Sequence, residues 1–466
     1  TLRADSQASS GIRQIACITG GQLLGEGSAA LPVEHLLLDS RRLLFPKTSL
    51  FFALRGVRHD GHEFIASLYE RGVRCFVVGR APEGKVFPEA AFAQVDDVVG
   101  ALQALAAHHR RRFDLPIIGI TGSNGKTIVK EWLFQLLQEH YFIVRSPGSY
   151  NSQVGVPLSV WQLRPEHELA LFEAGISHMG EMERLAPVVR CRIGLLTNIG
   201  EAHSEGFPSK EEKLQQKLQL FRYAECIIYC RDQPLVDRAV RALGKPVFSW
   251  SRERAADLRI AALTTTDGQT TIAGEYRGAT YRIAIPFTDP ASIENAIHCW
   301  AVLLYLGLPP AQIRQRMARL TPIAMRLELK EGIQGSIVIN DSYNADLNSL
   351  ANALHFLDQQ RRRGRRTLIL SDILQSGQDE RALYRQVARL IREKEVDRLF
   401  AIGREVPVLA ALLPGSVEAA FFPDTNAFLQ ALGGYDFHGD VVLLKGARAF
   451  AFERIAQRLA QQVHLT

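Results

Sequence analysis

Apolar positions along the chain fall into short runs that alternate with stretches of helical spacing, and this alternation divides it into three blocks. The first, to about residue 113, mixes short strand and helix patterns at 49–54, 64–72, 74–78 and 98–112. In the second, strand patterns at 117–121, 169–174, 193–197, 226–230 and 246–250 are separated by helix patterns. That order predicts a mainly parallel sheet with right-handed crossovers. The stretch 258–285 breaks the rhythm: Thr- and Tyr-rich alternation around a Thr266-Asp267-Gly268 turn predicts antiparallel hairpins on or beside the sheet. A helix from Ser292 to about Leu306 follows and ends at Gly307. In the third block, from Thr321-Pro322, strands at 336–340, 367–370, 398–402 and 441–444 alternate with helices at 347–360, 381–393, 426–432 and 450–461. This predicts a second doubly wound unit, about the size of a mononucleotide-binding domain. The fold class read from the pattern is α/β.

One junction in the second block carries chemistry. Residues 115–127 read LPIIGITGSNGKT, and the pattern IVKEWLFQLLQEH follows at once. Ile117, Ile118 and Ile120 predict a buried strand, and Val129, Trp132, Leu133, Leu136 and Leu137 recur at helical spacing. A Gly-rich turn between strand and helix lets backbone N–H groups crowd round a polyphosphate, and the helix N-terminus adds positive potential. Lys126 can reach terminal phosphates and the Thr127 hydroxyl can sit on Mg²⁺. The strict pattern G-x-x-x-x-G-K-[ST] asks for glycine at position 120, where this chain has Ile120; its glycines fall at Gly119, Gly122 and Gly125.

Bulk composition narrows the class. The chain has 466 residues, 47% hydrophobic and 22% charged, which excludes a disordered protein. The net charge of +6 is dispersed and suits anionic small molecules as readily as nucleic acid. The one dense basic cluster, Arg361-Arg362-Arg363-Gly364-Arg365-Arg366, reads as a solvated loop. The six cysteines (Cys17, Cys75, Cys191, Cys226, Cys230 and Cys299) form no C-x-x-C pair and read as buried reduced thiols of a reducing cytosol. No apolar run approaches the ~20 residues of a membrane span. No secretory leader is read at the start of the chain, and the protein is expected to be cytoplasmic.

Further candidates sit after the strands. Glu173 ends the run Leu169-Ala170-Leu171-Phe172; it reads evenly as a Mg²⁺ ligand in the crevice or as a capping or surface glutamate. His203 follows the next strand, where a structural histidine is the commoner reading. Lys210, Lys213 and Lys217 read first as a solvated helix face. The alternative is that Lys217, tucked against Leu214, Leu218 and Phe221, is deprotonated and modified. Asn295 offers a carboxamide that can pair with an adenine edge. Arg326, Asp341-Ser342-Tyr343-Asn344-Ala345, Asp372 and Lys445-Gly446-Ala447-Arg448 mark a second ligand-facing surface at strand ends.

Taken together, these segments resemble one family. Thr121-Gly122-Ser123-Asn124-Gly125-Lys126-Thr127 is similar to the ATP loop of the Mur ligases. Glu173-Ala174-Gly175, residues 198–207 (NIGEAHSEGF), Lys217-Leu218-Gln219-Leu220-Phe221, Glu294-Asn295-Ala296 and residues 341–345 (DSYNA) follow in the family's order. Within it the chain most resembles the branch that joins D-Ala-D-Ala to UDP-N-acetylmuramoyl-tripeptide. The resemblance lies in Asp39-Ser40-Arg41, Phe51-Phe52-Ala53-Leu54-Arg55-Gly56, Asp60-Gly61-His62, the DSYNA stretch and Leu444-Lys445-Gly446-Ala447-Arg448. The resemblance implies three domains: 1–113 holding the UDP end of the precursor, a central P-loop parallel-sheet ATPase domain at 114–320, and a C-terminal Rossmann-like domain at 321–466 that closes over both.

It also implies roles. Lys126, Glu173, His203 and Lys217 would be catalytic, and Thr127, Glu173, His203 and a carbamylated Lys217 would hold two Mg²⁺. ATP would meet Gly122, Ser123, Asn124, Gly125, Lys126, Thr127, Asn295, Arg326 and Asp341. The UDP-precursor would meet Asp39, Ser40, Arg41 and His62, and the acceptor side would carry Tyr343, Asn344, Lys445 and Arg448. The chemistry implied is an acyl phosphate made from ATP and opened by the dipeptide amine, with no nucleic acid and no membrane insertion. Two segments depart from the family pattern: Ala291-Ser292 stands where an HN pair is usual, and Asp372-Ile373-Leu374-Gln375 replaces a DMAEL-like run. Nothing after residue 450 reads as an alanine racemase, so a monomeric unfused ligase or the ligase half of a fusion is expected. Other readings are a neighbouring ligase adding one amino acid or glutamate, and a P-loop protein that handles nucleic acid through the Arg361–366 cluster.

Overall fold

The computed structural model describes residues 11–25, 31–56, 60–82, 87–200, 206–266, 268–323, 328–342, 345, 347–359, 364–373 and 379–460, and the fold is given for these. They form three sheets. The first has five strands in the order Gln22–Leu24, Ala91–Gln94, Cys75–Val78, Ser49–Phe52, His35–Leu37, parallel except for the first pair. The third has six, in the order Glu328–Glu331, Ile337–Asn340, Val441–Lys445, Arg366–Ser371, Arg398–Ile402, Glu418–Phe422, again parallel except at one edge. The third is the open parallel sheet that its alternating strand and helix patterns predict; in the first, the pattern marks strands only at Ser49–Phe52 and Cys75–Val78.

The central sheet has nine strands. Ile117–Thr121 lies inside it, with Leu169–Glu173 then Ile143–Arg145 on one side and Ile193–Leu196, Cys226–Cys230 and Val247–Ser251 on the other. From Ile117–Thr121 the chain crosses to the outer strand Ile143–Arg145, whereas from Leu169–Glu173 it crosses back over to Ile193–Leu196. The strand order therefore reverses beside Ile117–Thr121, and the crevice at such a reversal is where open α/β sheets bind ligands. The stretch read as hairpins forms Leu258–Thr266, Gln269–Tyr276 and Ala279–Ile285, which pair antiparallel and extend this same sheet.

Two layers of side chains cover the central sheet. On one face the helices Lys126–Leu137 and Pro290–Tyr305 bring Trp132, Leu133, Ile297 and Trp300 onto Ile118, Ile120, Leu171 and Leu195. Pro290–Tyr305 is apolar nearly all round, so it has to be enclosed, and the hairpin strands enclose it. Asp289 caps it by accepting the Ser292 N–H at 2.8 Å. On the other face Val188, Val189, Leu214 and Phe221 pack on Ile117, Phe172 and Leu196.

Several sequence expectations change here. The short strands Ile143–Arg145 and Glu418–Phe422 have no counterpart in the reading of the pattern, because three to five residues carry little periodicity. Arg366, read as part of a solvated loop, opens a strand and pairs with Asp358 at 2.8 Å and Glu395 at 3.1 Å, while Arg365 pairs with Glu418. Residues 361–363 of that cluster lie outside the described residues. Five cysteines are buried or half-buried and Cys17 is exposed; all are free thiols. Among the described residues no helix is long and apolar enough to cross a membrane.

The helix Val98–Arg110 joins the first sheet to the central one. Its Gln103 Nε2 donates to the Gln153 carbonyl at 3.1 Å, and Arg110, almost fully buried, donates to the carbonyls of Val189 and Arg190. His109 on the same helix packs between Trp161 and Phe113 and lies 3.1 Å from the Leu163 carbonyl. Burial pushes its pKa down to about 4. Between the ordinary value near 6.5 and about 4, the unfolded chain takes up a proton that the folded chain refuses. This contribution to stability is therefore complete above pH 6.5 and is lost as pH falls toward 4. Urea unfolding at pH 7 and pH 5 should show a smaller loss for His109→Phe than for the parent; equal losses would refute the burial effect.

Candidate active site

The loop after Ile117–Thr121 is held by its neighbours. Ser123 N–H donates to the Asn198 carbonyl at 2.8 Å, and Asn124 N–H donates to Asn198 Oδ1 at 3.0 Å. The Thr197 hydroxyl donates to the Asn124 carbonyl at 2.6 Å, and Gly200 N–H donates to Ser123 Oγ at 2.9 Å. Two glycines are required by geometry. Gly122 has φ +146° and a Cβ there would lie 2.0 Å from Thr197 Oγ1; Gly125 has φ +82° and a Cβ would lie 2.3 Å from Asn295 Oδ1. Ile120 in place of the usual first glycine stays in the strand and pairs with Glu173, so the loop starts two residues later.

The predicted residues of the central block converge here. Lys126 Nζ folds over the loop and donates to the carbonyls of Gly122 at 2.8 Å and Ser123 at 3.0 Å. The Thr127 hydroxyl donates to Glu173 Oε2 at 2.9 Å and lies 2.8 Å from Ser149 Oγ. Glu173 is fully buried, which removes the surface-glutamate reading. Asn295, nearly fully buried on the helix Pro290–Tyr305, abuts Gly125. His203 lies outside the described residues, as do Arg326, Tyr343 and Asn344.

The lysine helix Lys210–Leu218 departs from the solvated-face reading. Lys210 is exposed, but Lys213 and Lys217 are each only 1% exposed. Lys213 Nζ donates to the Gly200 carbonyl at 2.6 Å, and Lys217 Nζ to the Gly122 carbonyl at 3.1 Å. Burial holds the Lys217 amine well below the ordinary lysine value; the charges of Lys126 and Lys213 push the same way and Glu181 opposes them. A cavity of about 230 Å³ opens beside it, lined by Lys126, Asn151, Ser152, Gly175, Ser177 and Lys217.

Could these residues hold a metal? Thr127, Glu173 and Ser149 bring a carboxylate and two hydroxyls to one point at the start of a helix, and hard oxygen donors suit Mg²⁺. Among the described residues no cluster of three His, Cys, Asp or Glu side chains forms. The donor set fits a cation that keeps water and phosphate ligands rather than an all-protein cage. Sequence reading missed Ser149 and Lys130, and took in Asn198 only as part of the segment 198–207, without a role. Ser149 follows the strand Ile143–Arg145, whose brevity hid it, and Lys130 looked like one more helical lysine.

Two further clusters lie at the C-terminal ends of parallel strands. In the first sheet Asp39 accepts Arg41 Nε at 2.9 Å and Nη2 at 2.8 Å, and these bonds hold its carboxyl at about 2. The Ser40 carbonyl accepts Arg71 Nη1 at 2.8 Å. His62 Nδ1 lies 2.6 Å from Asp60 Oδ1 and Nε2 accepts the Gly79 N–H at 3.1 Å, so the proton is assigned to Nδ1. In the third sheet Lys445 Nζ, fully buried, donates to Asp341 Oδ2 at 2.5 Å. Arg448 begins a short 3₁₀ turn, and its side chain is outside the described set. Asp372 was expected on the ligand-facing surface, but its carboxylate accepts the N–H groups of Arg404, Glu405 and Val406 at 2.9, 3.0 and 2.9 Å. It is a cap for the turn that follows Ile402.

Gly125→Ala should weaken nucleoside triphosphate binding by roughly tenfold or more, since it adds both strain and a clash with Asn295. Equilibrium titration with a fluorescent ATP analogue checks this, and parental affinity in the variant would refute the close approach.

Three family models match the chain: "Mur ligase family, catalytic domain" over residues 32–113, "Mur ligase middle domain" over 120–303 and "Mur ligase, glutamate ligase domain" over 325–448. The chain is 27% identical over 463 residues to the UDP-N-acetylmuramoyl-tripeptide–D-alanyl-D-alanine ligase of Bacillus subtilis (strain 168), covering 97% of this chain and 98% of that protein. It is 25% identical over 457 residues to the ligase of that name from Escherichia coli (strain K12), with 97% and 98% covered. Its fold is similar to a crystal structure of MurF from Acinetobacter baumannii, with TM-score 0.82, 23% identity, and 96% and 98% covered. It is also similar to the MurF ligase from Thermotoga maritima in complex with ADP, with TM-score 0.76, 21% identity, and 91% and 97% covered. With three successive models spread along most of its length, and with the phosphate loop, a buried glutamate and a buried lysine brought to one crevice, this chain belongs to the Mur ligase family.

Proposed function

We propose that this chain is an ATP-dependent, ADP-forming ligase that joins D-Ala-D-Ala to UDP-N-acetylmuramoyl-tripeptide in peptidoglycan precursor synthesis. The observation that carries the reading is the union of a phosphate loop, the Thr127–Glu173 pair and the buried Lys217 in one crevice. The names of relatives that match nearly end to end supply the substrates.

In this reading the terminal carboxylate of the tripeptide attacks the γ-phosphorus of ATP. The bond to the bridging oxygen breaks, ADP leaves and an acyl phosphate forms. The free amine of D-Ala-D-Ala then attacks the acyl carbon, phosphate departs, and the amine loses a proton as the amide forms. Such transfers rest mainly on positioning and charge neutralisation. Lys126 and those loop N–H groups that Asn198 does not engage bind the phosphates. Mg²⁺ supplies further charge neutralisation when bound, and Thr127, Glu173, His203 and Lys217 would hold it, with two ions expected. Asn295, Arg326 and Asp341 would contact the nucleotide.

The Lys217 role would require a carbamate, formed when the neutral amine adds CO₂ and releases a proton. Its depressed pKa supports this, because only the unprotonated amine reacts. Residues 1–113 would hold the uridine end of the precursor through Asp39, Ser40, Arg41 and His62, 114–320 ATP, and 321–466 the acceptor side through Tyr343, Asn344, Lys445 and Arg448. We read the protein as a monomer unless a racemase domain is fused to it.

ADP release should require the tripeptide precursor and D-Ala-D-Ala together; equal release without the dipeptide would rule out this acceptor. Lys217→Ala should lower kcat by roughly a hundredfold or more, and short carboxylic acids that mimic the carbamate should restore part of it. A variant as active as the parent would exclude the carbamate.

A further inference from the structure

Lys130 has no role in the phosphate loop, yet it is as fully enclosed as Glu173 beside it. It lies one turn beyond Lys126 on the helix Lys126–Leu137 and is 0% exposed. Its Nζ donates to the carbonyl of Ser146 at 2.7 Å and to that of Gly148, sits 3.0 Å from Glu131 Oε1, and lies 3.9 Å from Glu173 Oε1. An ammonium has three donors, and burying one without partners is costly. Here the partners are gathered from the helix itself, the turn at 146–148 and the end of Leu169–Glu173.

That turn leads straight to Ser149. Ser146, also fully buried, uses its carbonyl for Lys130 and its hydroxyl to accept the Glu173 N–H at 3.3 Å. Directly after the gripped Gly148 carbonyl, Ser149 Oγ stands 2.8 Å from Thr127 Oγ1, which in turn is 2.9 Å from Glu173 Oε2. The three oxygens form one chain at the helix N-terminus. The geometry points to Ser149 as a further oxygen donor of the cation cradle beside Thr127 and Glu173, with Lys130 as the positioning residue that pins its turn and Glu173 in register. Magnesium demands near-octahedral geometry, so a misplaced hydroxyl matters more there than at a flexible site.

The inference rests on the reading of this crevice as a metal–nucleotide site, and the test separates the two. Mn²⁺ binding to the full chain saturated with ADP is followed by electron paramagnetic resonance. The parent should bind Mn²⁺ only when ADP is present; a parent that binds none overturns the ligase reading and this inference with it. Given parental binding, Ser149→Ala should weaken Mn²⁺ by roughly 3- to 10-fold. Lys130→Met, similar in shape but uncharged, should weaken it by about tenfold or more. The double variant should be no weaker than Lys130→Met alone, because one residue acts through the other. Ser149→Cys should favour Cd²⁺ over Mn²⁺ relative to the parent, as a thiol is the softer ligand. Parental Mn²⁺ affinity in Ser149→Ala, additive effects in the double variant, or an unchanged metal preference in Ser149→Cys would each overturn it. Should Lys130→Met fail to fold, the two Ser149 variants decide the matter alone.

Discussion

A phosphate loop holds its shape only while something braces its backbone, and in this protein the segment 197–200 does that. Asn198 accepts two loop N–H groups, one with its carbonyl and one with its carboxamide, and Thr197 donates to a loop carbonyl. The segment is in place because Ile193–Leu196 pairs directly with Ile117–Thr121 in parallel register. Asn295 closes the other side against Gly125. The loop is thus a product of two adjacent strands and one enclosed helix, and disturbing any of the three disturbs it.

Around that loop the fold encloses charge. Glu173, Lys130, Lys213 and Lys217 are all nearly inaccessible, and desolvating each ion costs several kcal/mol unless partners repay it. Lys130, Lys213 and Lys217 all bond to backbone carbonyls of loops that line the crevice. The buried charges therefore act as struts, tying loops from different strands to one centre. Burial, with the nearby charges of Lys126 and Lys213, holds the Lys217 amine well below the ordinary lysine value.

The outer sheets follow a common rule with different outcomes. Each ends its parallel strands with Asp, His, Lys or Arg side chains, yet only some remain turned to a crevice. Asp372 is consumed by three backbone N–H groups and serves the fold, as does Arg398, which starts its strand at the opposite end and bonds to Asp440, Asp436 and Thr367. Asp341 and Lys445 meet from neighbouring strands and neutralise each other at the edge.

The sequence by itself determined the α/β class, the parallel sheets of the second and third blocks and the strand–loop–helix order of the phosphate loop. Strand-to-helix order, glycine spacing and apolar periodicity are local properties, written in consecutive residues. It also singled out Glu173 and Asn295, since strand ends and helix faces can be counted, and the fold brings both beside the loop. Tertiary structure alone decided which charges are buried. Lys213 and Lys217 look solvated on a helix of low hydrophobicity, and Lys130 looks like another surface lysine, until loops from distant strands fold over them. Ser149 was invisible because its strand is three residues long and gains its identity only by pairing with Leu169–Glu173. Burial and hydrogen-bond partnership are set by contacts between segments far apart in the chain, and no local pattern encodes them.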